Sequence, residues 1–306
     1  MTHSYRRQNK QMRTAFINTL INLAETDPNL YLLTADMGFG LVEPFAKQFP
    51  KQYINVGVAE QNMIGVATGL ALEGKKVFCY SIGNFPTMRC LEQIRNDVCY
   101  HNLPVCIVSG GAGLWYGALG MTHHAVEDIA VMRCLPNMAV VSPCNAEDTT
   151  RLVNLIYHLG QPSYLRMSRT ATDTGKPTGC INPEIAFITT GGQIYANALS
   201  ASRWLESRGA RTLVVNVSTL KPLASSLARS VAEDAKLVLT IEEHSRIGGL
   251  GSAIAELLAG MKQHPPLVRL GTGDCYPTTA MSYEELLRFH HLDVDSIVQE
   301  VLDALH

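Results

Sequence analysis

From Met12 to Arg166 apolar bursts of four to six residues alternate with longer segments whose apolar residues recur at helical spacing. A burst with no polar face is a strand buried on both sides, and such strands separated by helices build a parallel sheet covered on both faces. Strands are expected at 31–35, 53–56, 77–81, 105–109, 139–143 and 163–167. Helices are expected near 12–26, 60–73, 87–101 and 145–159. Asn145 stands where it can cap the last of these, with Glu147 and Asp148 in its first turn.

The stretch TATDTGKPTGCINPE, 170–184, replaces periodic hydrophobics with Thr, Gly, Pro and Asp, the composition of a linker. Beyond it the alternation resumes through AFITT, a helix over NALSASRWLES, TLVVNV, a helix over LARSVAED, KLVLTIEE, a helix over SAIAELLAG, PLVRLG and two closing helical stretches. The expected fold class is therefore α/β, with two doubly wound domains: 1–170, a linker at 171–184, and a smaller domain at 185–306. A chain of 306 residues, 46% hydrophobic and 17% charged, is long enough for both cores.

Charge and cysteine usage narrow the function classes. Lys and Arg total 25 against 27 Asp and Glu, with no basic cluster, so neither nucleic acid nor an anionic membrane is an expected partner. The eight cysteines form no C-x-x-C pair and no metal-ligand spacing, and most lie in apolar runs, as reduced core thiols do. The opening MTHSYRRQNKQMRTAF has no apolar signal core, and no uninterrupted run reaches the length of a membrane span, so a cytoplasmic location is expected.

The stretch NVGVAEQNMIGVATGLALEG, 55–74, sets one acid, Glu60, at the head of a helix made of small and apolar residues. Glycine costs about 1 kcal/mol inside a helix, so Gly65 and Gly69 need a reason, such as something packed closely against that face. Glu60 reads either as a first-turn acid that helps start the helix or as a buried acid at a subunit interface, addressed to a ligand.

Three stretches in register, VGVAEQNMIGVATGLAL, YSIGNFPTMRCLEQIRNDV and GALGMTHHAVEDIAVMRCLPNMAVVSP, resemble the pyrimidine-binding domain of transketolases and 1-deoxyxylulose-5-phosphate synthases. The stretch IEEHSRIGGLGSAIAE resembles their C-terminal domain, and the resemblance covers nearly the whole chain. It implies that residues 1–170 bind the aminopyrimidine of thiamine diphosphate. It further implies that Glu60 shares a proton with N1′ of that ring, activating the cofactor to carry a two-carbon ketol unit, as a carbanion, from a ketose phosphate to an aldose.

Such enzymes hold the diphosphate and its Mg²⁺ in another domain, through Gly-Asp-Gly followed later by Asn. Here the sole Gly-Asp, Gly273-Asp274, is followed by Cys275. The resemblance therefore implies the C-terminal subunit of a split transketolase, a transferase active only with an N-terminal partner subunit that supplies the diphosphate half and the metal. It implies an α2β2 heterotetramer, and no metal ligand in this chain.

The resemblance carries further positions. His123 matches a histidine that contacts substrate oxygens, where a surface histidine beside His124 is the plain alternative. Phe85 falls at or next to the aromatic that stacks on the pyrimidine, with Pro86 the other choice and an ordinary core Phe a third. Asp36 matches an acid near cofactor and interface, or a loop acid capping a turn. Arg13 and Arg169 stand for two arginines that fork a sugar phosphate, or for ordinary salt bridges.

Departures are equally specific: a serine position is Gly40, a histidine position Gly111, and an acid position Leu119. Either the partner supplies the missing groups or the substrate is not an ordinary pentose phosphate. Gly248, Gly249 and Gly251 read as a tight turn, and Glu242, Glu243 and His244 as residues lining an interface. Three other readings stand beside the leading one: a deoxyxylulose-phosphate-synthase-like subunit, a 2-oxo acid dehydrogenase E1β-like subunit, and a non-catalytic assembly subunit.

Overall fold

A computed structural model of the chain describes residues 3–169, 175–223 and 225–305, so residues 171–174 of the expected linker lie outside the described residues. The chain runs α1 (His3–Ala24), β1 (Leu30–Thr34), α2 (Glu43–Gln48), β2 (Tyr53–Asn55), α3 (Glu60–Leu72), β3 (Lys76–Ile82), α4 (Leu91–Gln93, continued as a π-helix over Ile94–Cys99), β4 (Val105–Gly110), α5 (Asp128–Cys134), β5 (Ala139–Val141), α6 (Ala146–Leu159) and β6 (Ser163–Met167). It continues as β7 (Thr178–Gly179), β8 (Ile185–Thr190), α7 (Gly192–Glu206), β9 (Thr212–Asn216), β10 (Thr219–Lys221), α8 (Ser225–Asp234), β11 (Leu237–Ser245), α9 (Leu250–Ala259), β12 (Leu267–Thr272), α10 (Tyr283–Phe289) and α11 (Val294–Leu305).

The first sheet has the order β10-β5-β6-β4-β3-β1-β2, all parallel except β10. The second has the order β12-β11-β8-β9-β7, parallel except β7. Strand β3 shows why the sheet is covered twice. Phe78 and Tyr80 point into the core built with α1, while Val77 and Cys79 point into the core built with α3. Helix α6 starts as its sequence demands, with Asn145 Oδ1 accepting from Asp148 N at 2.9 Å, and ends on Gly160 at φ 63°.

Two features depart from expectation. The segment from 87 is not helical until Leu91, because Pro86 and a turn closed by the Thr87 hydroxyl on the Gly83 carbonyl (2.8 Å) hold residues 83–90 as a loop. And among the described residues nothing outside the helix's own backbone packs on the glycine face of α3: no such heavy atom lies within 4 Å of a Cβ built at Gly65 or Gly69.

The two sheets meet around Arg166, a wholly buried guanidinium at the end of β6. Its Nε donates to Asp128 Oδ2 at 2.7 Å, and its Nη2 donates to the carbonyls of Ala125 (3.1 Å) and Glu243 (2.8 Å). Glu243 in turn accepts from Leu114 N at 3.1 Å and from the Tyr283 hydroxyl. Glu243 and His244, whose Nε2 lies 3.2 Å from Ala130 N, line the junction between the halves; Glu242 turns to the head of α9 instead, and Glu243 braces the loop that follows β4.

Candidate active site

Parallel α/β sheets gather their loops at the carboxyl ends of the strands, and ligands bind there. Helix α3 begins beyond the end of β2, the 83–90 loop follows β3, and the 111–127 loop follows β4. Since β3 and β4 are neighbours, their two loops touch: Asn84 Nδ2 donates to the Thr122 carbonyl at 3.1 Å.

Glu60 is 2% exposed although it stands in the first turn of α3. Its Oε2 lies 2.5 Å from Arg89 Nη1, and its Oε1 lies 3.5 Å from the Ser81 hydroxyl. The Arg89 guanidinium also sits 4.5 Å from the centroid of the Phe85 ring. Phe85 meets His123 edge to face at 5.5 Å, and His123 meets Tyr116 the same way at 5.9 Å. Of the two residues that could supply the aromatic face, Pro86 is buried and the Phe85 ring faces Arg89 and His123.

Beyond Tyr116 lie Tyr80 and Arg13. Burial pushes the Tyr80 phenol above its usual value, offset in part by the Arg13 guanidinium within hydrogen-bonding reach. Burial pushes Tyr116 up to about 12, with Tyr80 adding to the effect and Arg13 opposing it. Arg13 Nε is buried with no hydrogen-bond partner among the described residues. A continuous line therefore runs Glu60, Arg89, Phe85, His123, Tyr116, Arg13, with an acid at one end and an arginine at the other.

The remaining expected residues stand beside this line rather than in it. Asp36 is exposed at the end of β1, with φ 52°, and its backbone N–H donates to Asn55 Oδ1 at 2.9 Å. Arg169 is 8% exposed; its guanidinium lies 3.8 Å from the Tyr283 ring centroid and 3.4 Å from Glu284 Oε1, and donates to the Trp115 carbonyl at 3.4 Å. It borders the 111–127 loop from the side of α10. Arg89, Tyr80 and Tyr116 carry no sequence signal of their own, because their proximity arises from strand order.

The transketolase pyrimidine-binding domain family matches residues 8–174, and the transketolase C-terminal domain family matches residues 179–297. The chain is 36% identical over 309 residues to a protein of Methanocaldococcus jannaschii named, provisionally, a transketolase C-terminal section, covering 97% of this chain and 96% of that one. It is 34% identical over 304 residues to one of the subunits of the apulose-4-phosphate transketolase of Phocaeicola vulgatus, covering 95% and 96%. Against the 1-deoxy-D-xylulose-5-phosphate synthase of Caldanaerobacter subterraneus subsp. tengcongensis identity is 33% over 300 residues, and the chain spans 48% of that protein.

Among solved structures, a split-gene transketolase described as an inactive β4 tetramer superposes with a TM-score of 0.85 at 35% identity, covering 96% of this chain and 98% of that one. The transketolase of Campylobacter jejuni superposes with a TM-score of 0.76 at 14% identity, over 95% of this chain and 46% of its own, a likeness of fold alone.

Proposed function

This chain belongs to the transketolase family, and from that premise we propose that it is the C-terminal subunit of a two-chain, thiamine diphosphate-dependent transferase. The enzyme moves a two-carbon ketol unit from a ketose phosphate to an aldose. The observation that carries the reading is the convergence of a buried acid, an aromatic face and an imidazole, Glu60, Phe85 and His123, in the loops at the carboxyl ends of the first sheet's strands.

The residues fit the pyrimidine end of the cofactor. A planar cation with N–H donors, the Arg89 guanidinium, already lies on the Phe85 ring and on the Glu60 carboxylate, so a flat aminopyrimidine suits the same two partners. Asn84 Oδ1, buried and without a partner among the described residues, adds an acceptor beside them. Bound there, thiamine diphosphate supplies an acidic thiazolium C–H and an electron sink for the carbonyl carbon.

Glu60 holds the proton shared with N1′ and, being buried, keeps water from competing for it. Arg89, nearly half exposed, has room to turn outward when the pyrimidine takes its contacts. His123 contacts the substrate oxygen near the reacting carbon. Arg13 takes the anionic end, with Arg169 holding the loop between them, and Asp36 lies toward the seam with the partner.

Among the described residues no group of three or more His, Cys, Asp and Glu side chains is placed to hold a metal ion. Because the chain carries no Gly-Asp-Gly segment, we assign the diphosphate and Mg²⁺ to a partner subunit, in an α2β2 assembly. The inactive β4 state of the split-gene relative supports a requirement for that partner. The bare face of α3, where Gly65, Gly69 and Leu72 are exposed, continues from Glu60 and would be covered by it.

In heavy water the assembled enzyme is expected to exchange the thiazolium C2 proton rapidly, and Glu60→Gln to lose about 10²-fold or more of that rate with the assembly intact. Equal rates in the two would remove Glu60 from its role. The similarity to deoxyxylulose-phosphate synthase supports a second reading, in which the same site takes pyruvate; release of carbon dioxide from pyruvate by the assembled enzyme would favour it.

A further inference from the structure

Gly111 has φ 83°, and a Cβ built on it would lie 2.6, 2.8 and 2.9 Å from Cε2, Cζ and Oη of Tyr116. Those are distances no real Cβ tolerates against an aromatic ring. The Tyr116 ring therefore occupies the place that a side chain at position 111 would take, and the glycine is the condition for its being there. Position 111 has no polar side chain of its own, and the phenol from five residues along the chain fills the space beside it.

The phenol is held firmly. Gly117 N donates to the Leu114 carbonyl at 2.9 Å and Leu119 N to the Tyr116 carbonyl at 3.1 Å, which closes residues 114–119 into tight turns. Glu243, reaching across from β11, accepts from Leu114 N at 3.1 Å at the foot of the same loop. The ring is half-buried and edge-on to His123, and Tyr80 and Arg13 are near enough to act on its phenol electrostatically.

Its hydrogen-bonding capacity decides what it can recognise. A phenol has one proton, and Tyr116 Oη donates that proton to the Gly110 carbonyl at 3.1 Å. What is left is lone-pair acceptance. An acceptor recognises a hydroxyl; it repels a phosphate or carboxylate oxygen, which has no proton to give. Arg13 is the converse, donors only, suited to an anion. Position 119, the next residue outward, offers the apolar Leu119, 59% exposed, and no hydrogen bond from its side chain.

We propose that Tyr116 is the specificity-determining residue of this site, accepting a hydrogen bond from one sugar hydroxyl that lies between the reacting carbon at His123 and the anionic group at Arg13. The proposal rests on the ketol-transfer reading above. The substrate class is a phosphorylated sugar that keeps its hydroxyl at that one carbon, and the deoxy analogue at that carbon is the molecule the site rejects.

The test uses the complex recovered through the tagged chain, as wild type and as Tyr116→Phe, which keeps the ring and its packing. A four- or five-carbon aldose phosphate and each of its monodeoxy analogues are compared by kcat/KM and by equilibrium binding. Wild type is expected to disfavour one deoxy analogue by about fivefold or more, the size of a single neutral hydrogen bond. Tyr116→Phe should treat that analogue and the parent alike while ranking the others as wild type does. The same ranking in both proteins overturns the proposal. If the assembled wild type transferred no ketol unit, the ketol-transfer reading would fall instead, and the binding series would still decide the place of Tyr116.

Discussion

Glu60 is 2% exposed and its Oε2 is 2.5 Å from Arg89, so removing that arginine strands a buried carboxylate whose other contact is the Ser81 hydroxyl at 3.5 Å. Breaking a fully buried ion pair costs about 3–5 kcal/mol, and since the Arg89 side chain is 45% exposed, Arg89→Met is expected to cost about 1–2 kcal/mol. A urea titration of the isolated chain reads this as a lower midpoint with an unchanged slope; an unchanged midpoint would mean that water already serves the carboxylate. At this scale the sequence is legible where a residue's partner lies outside the chain. Glu60, Phe85 and His123, to which the proposed function gives contacts with a ligand, stand in motifs that can be read in a line of text. Arg89 and Tyr116 answer to Glu60 and Gly111 within the chain: Arg89 reaches from the loop after β3 to the head of α3, and Tyr116 folds back on Gly111 within the loop after β4. In the sequence Gly111 reads as a missing group, and its partner Tyr116 gives no sign of the exchange.

Among the elements, β11 and α9 show a helix start served by a side chain. Glu242 accepts from Leu250 N at 2.6 Å and Gly251 N at 2.8 Å, which caps α9 and fills with a carboxylate the place where an outside anion would bind. Burial nevertheless outweighs those two bonds and pushes Glu242 from 4.5 up to about 7. A raised folded value means that the native chain holds a proton the unfolded chain gives up. The contribution of Glu242 to stability is therefore complete below pH 4.5 and lost as the pH rises through about 7. Glu242→Gln does not titrate, so relative to wild type it should gain stability from pH 4.5 to pH 8. Melting temperatures of the two proteins at both pH values check this, and a difference independent of pH contradicts it. The longer strands and helices of both sheets are legible in the sequence because they show a period, whereas the short helices α2 and α5 have no counterpart among the expected elements. Strands β7 and β10, of two and three residues, are not: each is defined by the edge it pairs with, and β10 joins the first sheet from the second half of the chain. The π-helical Ile94–Cys99 shares its apolar spacing with an ordinary helix and gives no separate sign.

For the whole molecule, the line of groups from Glu60 to Arg13 runs beside the loops at the carboxyl ends of β3 and β4, and the chain has no Gly-Asp-Gly segment to bring a diphosphate to it. The account therefore requires two chains: this one to activate the pyrimidine and orient the sugar, another to hold the diphosphate and metal. Removing divalent metal with a chelator should release thiamine diphosphate from the complex while leaving the fold of this chain unchanged by circular dichroism, because the account places the metal site in the other chain. The most direct measurement is the native mass, subunit content and thiamine diphosphate content of the tagged chain recovered from its own cells. The account predicts equal numbers of this chain and a second chain that carries Gly-Asp-Gly followed by Asn, with one thiamine diphosphate for each pair. An assembly of this chain alone, without cofactor, in cells where it is active would contradict it.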